Sequence, residues 1–358
     1  MRCKIMEKLS KTLAQIQPVN SSLKEIAQRR LDNLTKPQAS LGRLEELAKQ
    51  VVSIVGTLTP CLEKKIIFTM AGDHGVCEEG VSLFPVDVTP QMVYNFLRGG
   101  AGINVLANHV GARVIVVDMG VAVDLSPQPG LVIKKVGYGT KNISKCPAMS
   151  REEAILCIER GIEAFEEELA ANGLDICGCG DMGIGNTTPS SAIVAAITGV
   201  AVEDVTGRGT GISDAAWLHK VAVIKQALAI NQPDPTDGID VLAKVGGFEI
   251  GGLCGIILAS AAAKKPVVID GFISTAAALI AYILNPITVR YMIAGHTSVE
   301  KGQQAALKMI GLCPVLDLQM RLGEGTGAAL AMGIVDAGVK ILTQMATFGD
   351  AGVSEANG

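Results

Sequence analysis

An α/β fold, with a doubly wound, mainly parallel sheet flanked by helices, is what this sequence predicts, and three observations carry the prediction. From residue 64 onward, short β-rich runs alternate with amphipathic or apolar helical patterns, as strand–helix–strand units do. Hydrophobic residues make up 49% of the 358 residues but aromatic ones only 3%, so the core must be assembled from Ala, Val, Ile, Leu and Met on closely packed elements. The 41 glycines suit the many tight turns at which strands hand over to helices.

Residues 1–60 carry helical patterns without strand signals, as do the last thirty or so, and the two ends are expected to join in a small helical domain, 1–60 plus about 328–358. The large α/β domain then spans 61–327. Its strands are expected at 66–70, 114–119, 174–179 and 267–270, with a weaker one at 291–294. Helical patterns fall at 91–109, 151–171, 188–198, 213–230, 248–263 and 298–310, and Ser150-Arg-Glu-Glu153 has the form of a capping box. The run Asn231-Gln-Pro-Asp-Pro-Thr-Asp-Gly238, rich in turn formers, reads as a loop. In open α/β sheets ligands bind beyond the carboxyl ends of the strands. Gly72-Asp-His-Gly75, Gly180-Asp-Met-Gly183, Asp270-Gly-Phe272 and Gly295-His-Thr-Ser298 all fall at those ends and are expected to converge on one cleft.

Several function classes are disfavoured. Net charge is −4 with no basic block, which gives no footprint for nucleic acid. Residues 1–8 lack an apolar core of signal-peptide length, and no apolar stretch is both long enough and free of polar residues to span a bilayer, so a cytoplasmic protein is expected. Nine scattered cysteines suit reduced thiols, and Cys177 and Cys179 read as small buried strand residues. Four histidines, at 74, 109, 219 and 296, without H-E-x-x-H or H-x-H spacing, make a zinc site improbable, and no metal or cofactor is expected. A G-x-S-x-G elbow is absent too, so Asp73 and His74 are expected to be hydrogen-bonded strand-end residues that hold the cleft's geometry.

Three glycine-rich runs bear on chemistry. Gly178-Cys-Gly-Asp-Met-Gly183 matches G-x-G-x-x-G after a strand, with Glu203 at about the ~20-residue distance of a ribose-binding acid, which suggests an NAD-dependent oxidoreductase. The motif continues, however, as Ile184-Gly-Asn-Thr-Thr188 before a helix, and successive N–H groups, an amide and two hydroxyls suit a single phosphate. Thr206-Gly-Arg-Gly-Thr-Gly211 also precedes a helix, but it lacks the pattern of a triphosphate loop. Lys220 on that helix reads as solvated unless the helix closes the cleft. In Arg321-Leu-Gly-Glu-Gly-Thr326, Glu324 stands between glycines ahead of an apolar helix, as a buried base or as a cap, and Thr326 is placed to cap that helix.

Together, Lys36-Pro-Gln-Ala-Ser-Leu-Gly-Arg-Leu-Glu45, Asp73-His-Gly-Val76, Gly183-Ile-Gly-Asn-Thr-Thr-Pro189, Gly246-Gly-Phe248, Asp270-Gly-Phe272, Ser298-Val-Glu-Lys-Gly302 and Arg321-Leu-Gly-Glu-Gly325 resemble the nicotinate-nucleotide:dimethylbenzimidazole phosphoribosyltransferases nearly end to end. The resemblance implies a Rossmann-like large domain, a small helical domain from both termini, and a dimer. It implies transfer of phosphoribose from nicotinate mononucleotide to a cobamide lower-ligand base, with Glu324 as the base. Substrate contacts are implied at Gly183, Asn186, Thr187, Thr188, Gly207, Lys220, Ser298 and Arg321, with Met182, Leu322 and Gly323 beside them. Three departures stand out. Asp181 replaces a glutamate and reaches less far as a second acid, while Phe84 and Met92 stand where benzimidazole-using members have a serine and a glutamine. Losing two polar handles fits the branch that glycosylates phenol or p-cresol, since a buried, unpaired ring nitrogen costs about 1–3 kcal/mol. In that branch the enzyme resembles a heterodimer of paralogous chains, so either a homodimer or such a pair is expected. A non-catalytic subunit that completes a paralogue's site is a further alternative, against which the carboxylate of Glu324 argues.

Overall fold

Mostly apolar runs such as residues 66–71, buried on both faces, are what a strand in the middle of a parallel sheet requires. A computed structural model describes residues 6–209 and 211–354, and six strands form its sheet. The chain opens with α1 (Glu7–Gln15), α2 (Ser22–Asp32) and α3 (Arg43–Val55) before β1 (Lys65–Gly72). A 3-10 turn (Gly75–Glu79), α4 (Val88–Leu97) and α5 (Gly102–Val110) lead to β2 (Ala112–Gly120) and β3 (Leu131–Ile133). After α6 (Arg151–Asn172) and β4 (Ile176–Met182) come α7 (Thr187–Thr198), α8 (Val202–Val205), α9 (Asp214–Asn231), α10 (Gly238–Val245) and α11 (Phe248–Ala262). Then β5 (Val267–Ile269), α12 (Phe272–Leu284) and β6 (Met292–Ala294) complete the sheet, and α13 (Lys301–Ile310), α14 (Thr326–Gln344) and α15 (Phe348–Ala351) follow.

All pairings are parallel and the strand order is β3-β2-β1-β4-β5-β6. The order reverses between β1 and β4, where a doubly wound sheet opens a crevice. Their register sets Thr69 beside Gly180 and Met70 beside Asp181 at the mouth of that crevice. Within β1, Ile66, Phe68 and Met70 enter one core while Ile67 and Ala71 enter the other, the alternation hidden inside a nearly all-apolar run. The first core is shared with α6 and α11, the second with α5 and α14.

Five predicted strands and most helices are present, and the Ser150–Glu153 capping box forms on both sides. The expected helix 91–109 is two helices, broken at Arg98-Gly-Gly100, where Gly99 takes a left-handed φ of +78°. Helix α12 escaped prediction because it is apolar all round and buried from Phe272 to Ala281, so it shows no stripe. The edge strand β3, three residues long, gave no readable signal, and α10 starts within the turn-rich run, capped by Asp237. Near the termini, Ala27, Leu31 and Leu34 pack with Ala48, Val52 and Leu342, and Arg30 Nε donates to the carbonyl of Leu342 at 2.6 Å. Helix α1 packs instead on α6 and α11. Among the described residues one helix, α14, is long and apolar enough to cross a membrane, and over half of it is buried in the protein.

Candidate active site

Glu324 sits one residue before the N-cap of α14 with φ +63°, between Gly323 (φ +80°) and Gly325 (φ +100°). A left-handed glutamate costs on the order of 1 kcal/mol or more, so the surroundings must hold it. They do so from three sides. Asp270, at the end of β5, accepts from the N–H groups of Ala328 at 2.9 Å and Gly325 at 3.2 Å, pinning the start of α14. The Thr69 hydroxyl of β1 donates to the Glu324 carbonyl at 3.0 Å, and Glu324 Oε2 accepts from Ile103 N–H, in the first turn of α5, at 3.0 Å. Burial pushes the Glu324 carboxyl above the usual carboxylate range, the Ile103 N–H pulls it back, and the charge of Asp270 raises it further. Thr326 does not cap α14: it is the first helical residue, and its hydroxyl donates to the Gly323 carbonyl at 2.9 Å.

Beside Glu324, the end of β4 presents Asp181. Its carboxylate accepts from Asn186 Nδ2 at 2.9 Å, and a side chain at Gly323 would press on it, 3.3 Å from either oxygen. Burial, then the charge of Asp270, pushes the Asp181 carboxyl well above its ordinary value, against the Asn186 bond. The loop after β4 is tied to the β1 side at Ile184, whose N–H donates to Thr89 Oγ1 at 3.2 Å and whose carbonyl accepts from Cys77 Sγ at 3.1 Å. The loop ends at the N-terminus of α7, a twelve-residue helix whose first N–H groups favour an anion.

There Thr187 Oγ1 accepts from Lys220 Nζ at 2.7 Å. Lys220 is 1% exposed, so the expectation of a solvated lysine is corrected: α9 does close over the cleft. Burial pushes its ammonium down to about 8, partly offset by the charge of Glu300. Glu300 accepts from Gly209 N–H at 2.9 Å, and a Cβ at Gly207 would overlap its other oxygen. Ser298 accepts from Glu300 N–H at 3.3 Å through its hydroxyl. Thr188 is buried in α7, Met182 closes β4, Gly183 opens the loop that follows, and Thr210 lies outside the described residues.

The glycines of the dinucleotide fingerprint do not form a turn. Gly178 and Gly180 lie inside β4, where a Cβ would meet Ile67 at 2.6 Å or the Glu324 carbonyl at 2.2 Å. They are glycine so that α14 and the Glu324 loop can lie directly on the strand, which removes the geometric ground for the oxidoreductase reading. Leu322 is exposed and packs toward Gly102 beside Glu324, and Arg321 is exposed as well. Phe84 is 51% exposed in the segment before α4, and Met92 is half-buried on α4 against the second core. Asp73 accepts from Ala122 N–H at 2.8 Å, and His74 Nε2 lies 2.8 Å from Glu249 Oε1. Sequence reasoning missed Glu249 and Glu300; a charge opening the otherwise apolar run of α11 was the available signal for the first.

Residues 16–353 match the family described as Phosphoribosyltransferase. A relative from Geotalea uraniireducens, named nicotinate-nucleotide–dimethylbenzimidazole phosphoribosyltransferase, is 61% identical over 350 residues, covering 98% of this chain and 99% of its own. The chain belongs to that family. It is therefore a pentosyltransferase, an enzyme related to cobalamin biosynthesis. A Chloroflexus aggregans relative of the same name is 58% identical over 98% of this chain and 99% of its own. The crystal structure of CobT from Thermus thermophilus superposes with a TM-score of 0.90 at 43% identity, over 94% of this chain and 100% of that one. The family resemblance read in the motifs thus holds end to end.

Proposed function

We propose that this chain transfers the phosphoribosyl group of nicotinate mononucleotide to the aromatic lower-ligand base of a cobamide, with Glu324 as general base. One observation carries the reading. A buried, strained carboxylate at the carboxyl ends of β1 and β4 shares the cleft with a helix N-terminus, a threonine and a buried lysine suited to a single phosphate. In the step proposed, the bond from C1′ to the nicotinate ring nitrogen breaks and its electron pair returns to the ring, which leaves neutral. The acceptor forms the new bond to C1′, and its proton passes to Glu324. No general acid is required, because the leaving nitrogen carries the positive charge at the outset. Asp181, close to Gly323, is assigned a supporting acid role beside Glu324.

The relatives' names support dimethylbenzimidazole as acceptor. Phe84 and Met92 favour a second reading, phenol or p-cresol, because both offer apolar surface and no partner for a second ring nitrogen. The test is a competition among the three acceptors at equal concentration with nicotinate mononucleotide, resolving products by mass. A benzimidazole riboside phosphate alone removes the phenol reading; a phenyl or cresyl product establishes it. Absence of product from the chain alone, with product on adding a paralogous chain, supports an obligate heterodimer.

A further inference from the structure

Two sequence motifs, Asp73-His-Gly75 and Gly246-Gly-Phe248, take no part in the chemistry above, and His74 of the first meets Glu249, the residue directly after the second, in one buried pair. His74 Nε2 and Glu249 Oε1 lie 2.8 Å apart, with His74 3% exposed and Glu249 0%. Burial works against a charged imidazole there, but the carboxylate of Glu249, and after it that of Asp73, outweigh it and hold the proton on His74. A charged pair sealed this way is a poor device for stability, since apolar residues of similar volume often do as well or better. Its surroundings point to another use.

Three glycines from three separate segments pack onto the pair. A Cβ at Gly183, the first residue of the β4 loop, would lie 3.2 Å from His74 Nε2 and 2.3 Å from the Gly72 carbonyl. One at Gly247 would lie 2.5 Å from His74 Cε1, and one at Gly72 would lie 2.9 Å from Glu249 Oε2. The loop that begins at Gly183 is the one tied at Ile184 to Cys77 and Thr89, and it ends at Thr187, the hydroxyl that meets Lys220. We propose that His74 and Glu249 are positioning residues: their pair is the buried post against which the backbone of residues 183–186 is set to receive the phosphate of nicotinate mononucleotide. The inference rests on the phosphate reading given above. Both side chains pack against the backbone at Gly72, Gly183 and Gly247, so the role assigned to them is positioning and not contact with substrate.

The test uses His74→Gln and Glu249→Gln, each of which removes one charge at nearly constant shape, with Lys220→Met as the control. Calorimetry with inorganic phosphate and with nicotinate mononucleotide should show about tenfold weaker binding in both, with kcat at saturation unchanged, the pattern of a contact made equally in the ground and transition states. A general loosening would lower kcat and the affinity for free nicotinate as well, which overturns the positioning role. If Glu249→Gln does not fold, Gly247→Ala presses on the same ring without removing a charge and should weaken phosphate binding alike. Phosphate affinity lost in Lys220→Met but kept in every variant at the pair overturns this inference and leaves the phosphate site standing. Affinity kept in Lys220→Met as well removes the phosphate site itself, and the inference with it.

Discussion

Glu324 must be buried enough to be a strong base and yet stay ionised, and both demands have measurable consequences. Its folded carboxyl titrates above its unfolded value, so the charged form destabilises the fold at neutral pH, and that cost fades as pH falls through the raised value. Glu324→Gln is expected to lower turnover by about 10²–10⁴-fold, leave nicotinate mononucleotide binding measurable, and raise Tm at pH 7, with the gain shrinking under acid. Unchanged turnover removes Glu324 as the base. In the wild type, the acid limb of kcat/KM, which reports the free enzyme, should lie above the ~4.3 of a free glutamate. Lys220 titrates in the opposite sense. With its ammonium pushed down to about 8, the free enzyme loses that charge as pH rises through 8, and stability rises over the same window toward the ordinary lysine value. A bound phosphate restores the charge, so binding near pH 8.5, about half a unit above that value, should take up a proton. Calorimetry in buffers of different ionisation enthalpy reads that uptake, and Lys220→Met should abolish it. Glu324 was legible because glycines isolate it; the burial of Lys220 was not, because a lysine on a helix looks the same whether the helix faces water or a cleft.

Helices α6 and α11 cross so closely that only glycine fits at their contact. A Cβ at Gly255 would fall 2.1 Å from the Ile158 carbonyl, and one at Gly161 would fall 2.0 Å from that of Gly252. Gly255→Ala should therefore cost about 1–3 kcal/mol through overpacking, read as a lower denaturant midpoint. A neutral effect would mean that the crossing relaxes freely. The glycines of α11 were visible in the sequence, but their partner was not, because a close crossing is written in two segments about ninety residues apart. Elements with one wet face, such as α6 with its capping box, declared both period and boundaries. Those wet on no face declared neither: α12 is buried almost throughout and gave no stripe, and β3 is too short to alternate. The break between α4 and α5 rests on two consecutive glycines, which sequence reasoning tolerates inside a helix until the left-handed φ of Gly99 is seen.

Across the whole molecule, the cleft was legible because the chain repeatedly ends strands in polar residues, and a parallel sheet must bring those ends to one side. The reach of α14 was not. This nineteen-residue helix starts beside Glu324 and, near its far end, buries Leu342 among Leu31, Leu34 and Val52, so one rigid rod joins the active-site loop to the contact between the chain's two ends. We propose that the smaller helical unit expected from 1–60 with about 328–358 is built around α2, α3 and the end of α14, on the strength of that cluster and of Arg30, which bonds the carbonyl of Leu342, while α1 packs with the large domain. The two ends of the rod are held independently: Asp270 and Thr69 fix the start, apolar packing fixes the finish. Leu31→Ala, at a fully buried position, should thus cost about 2–5 kcal/mol of stability and lower Tm, while kcat measured well below the melting range stays at the wild-type value. A kcat that falls in step with the lost stability, in protein still folded by circular dichroism, would mean instead that displacement at the far end travels along α14 to Glu324. The small unit would then be part of the catalytic apparatus rather than its support.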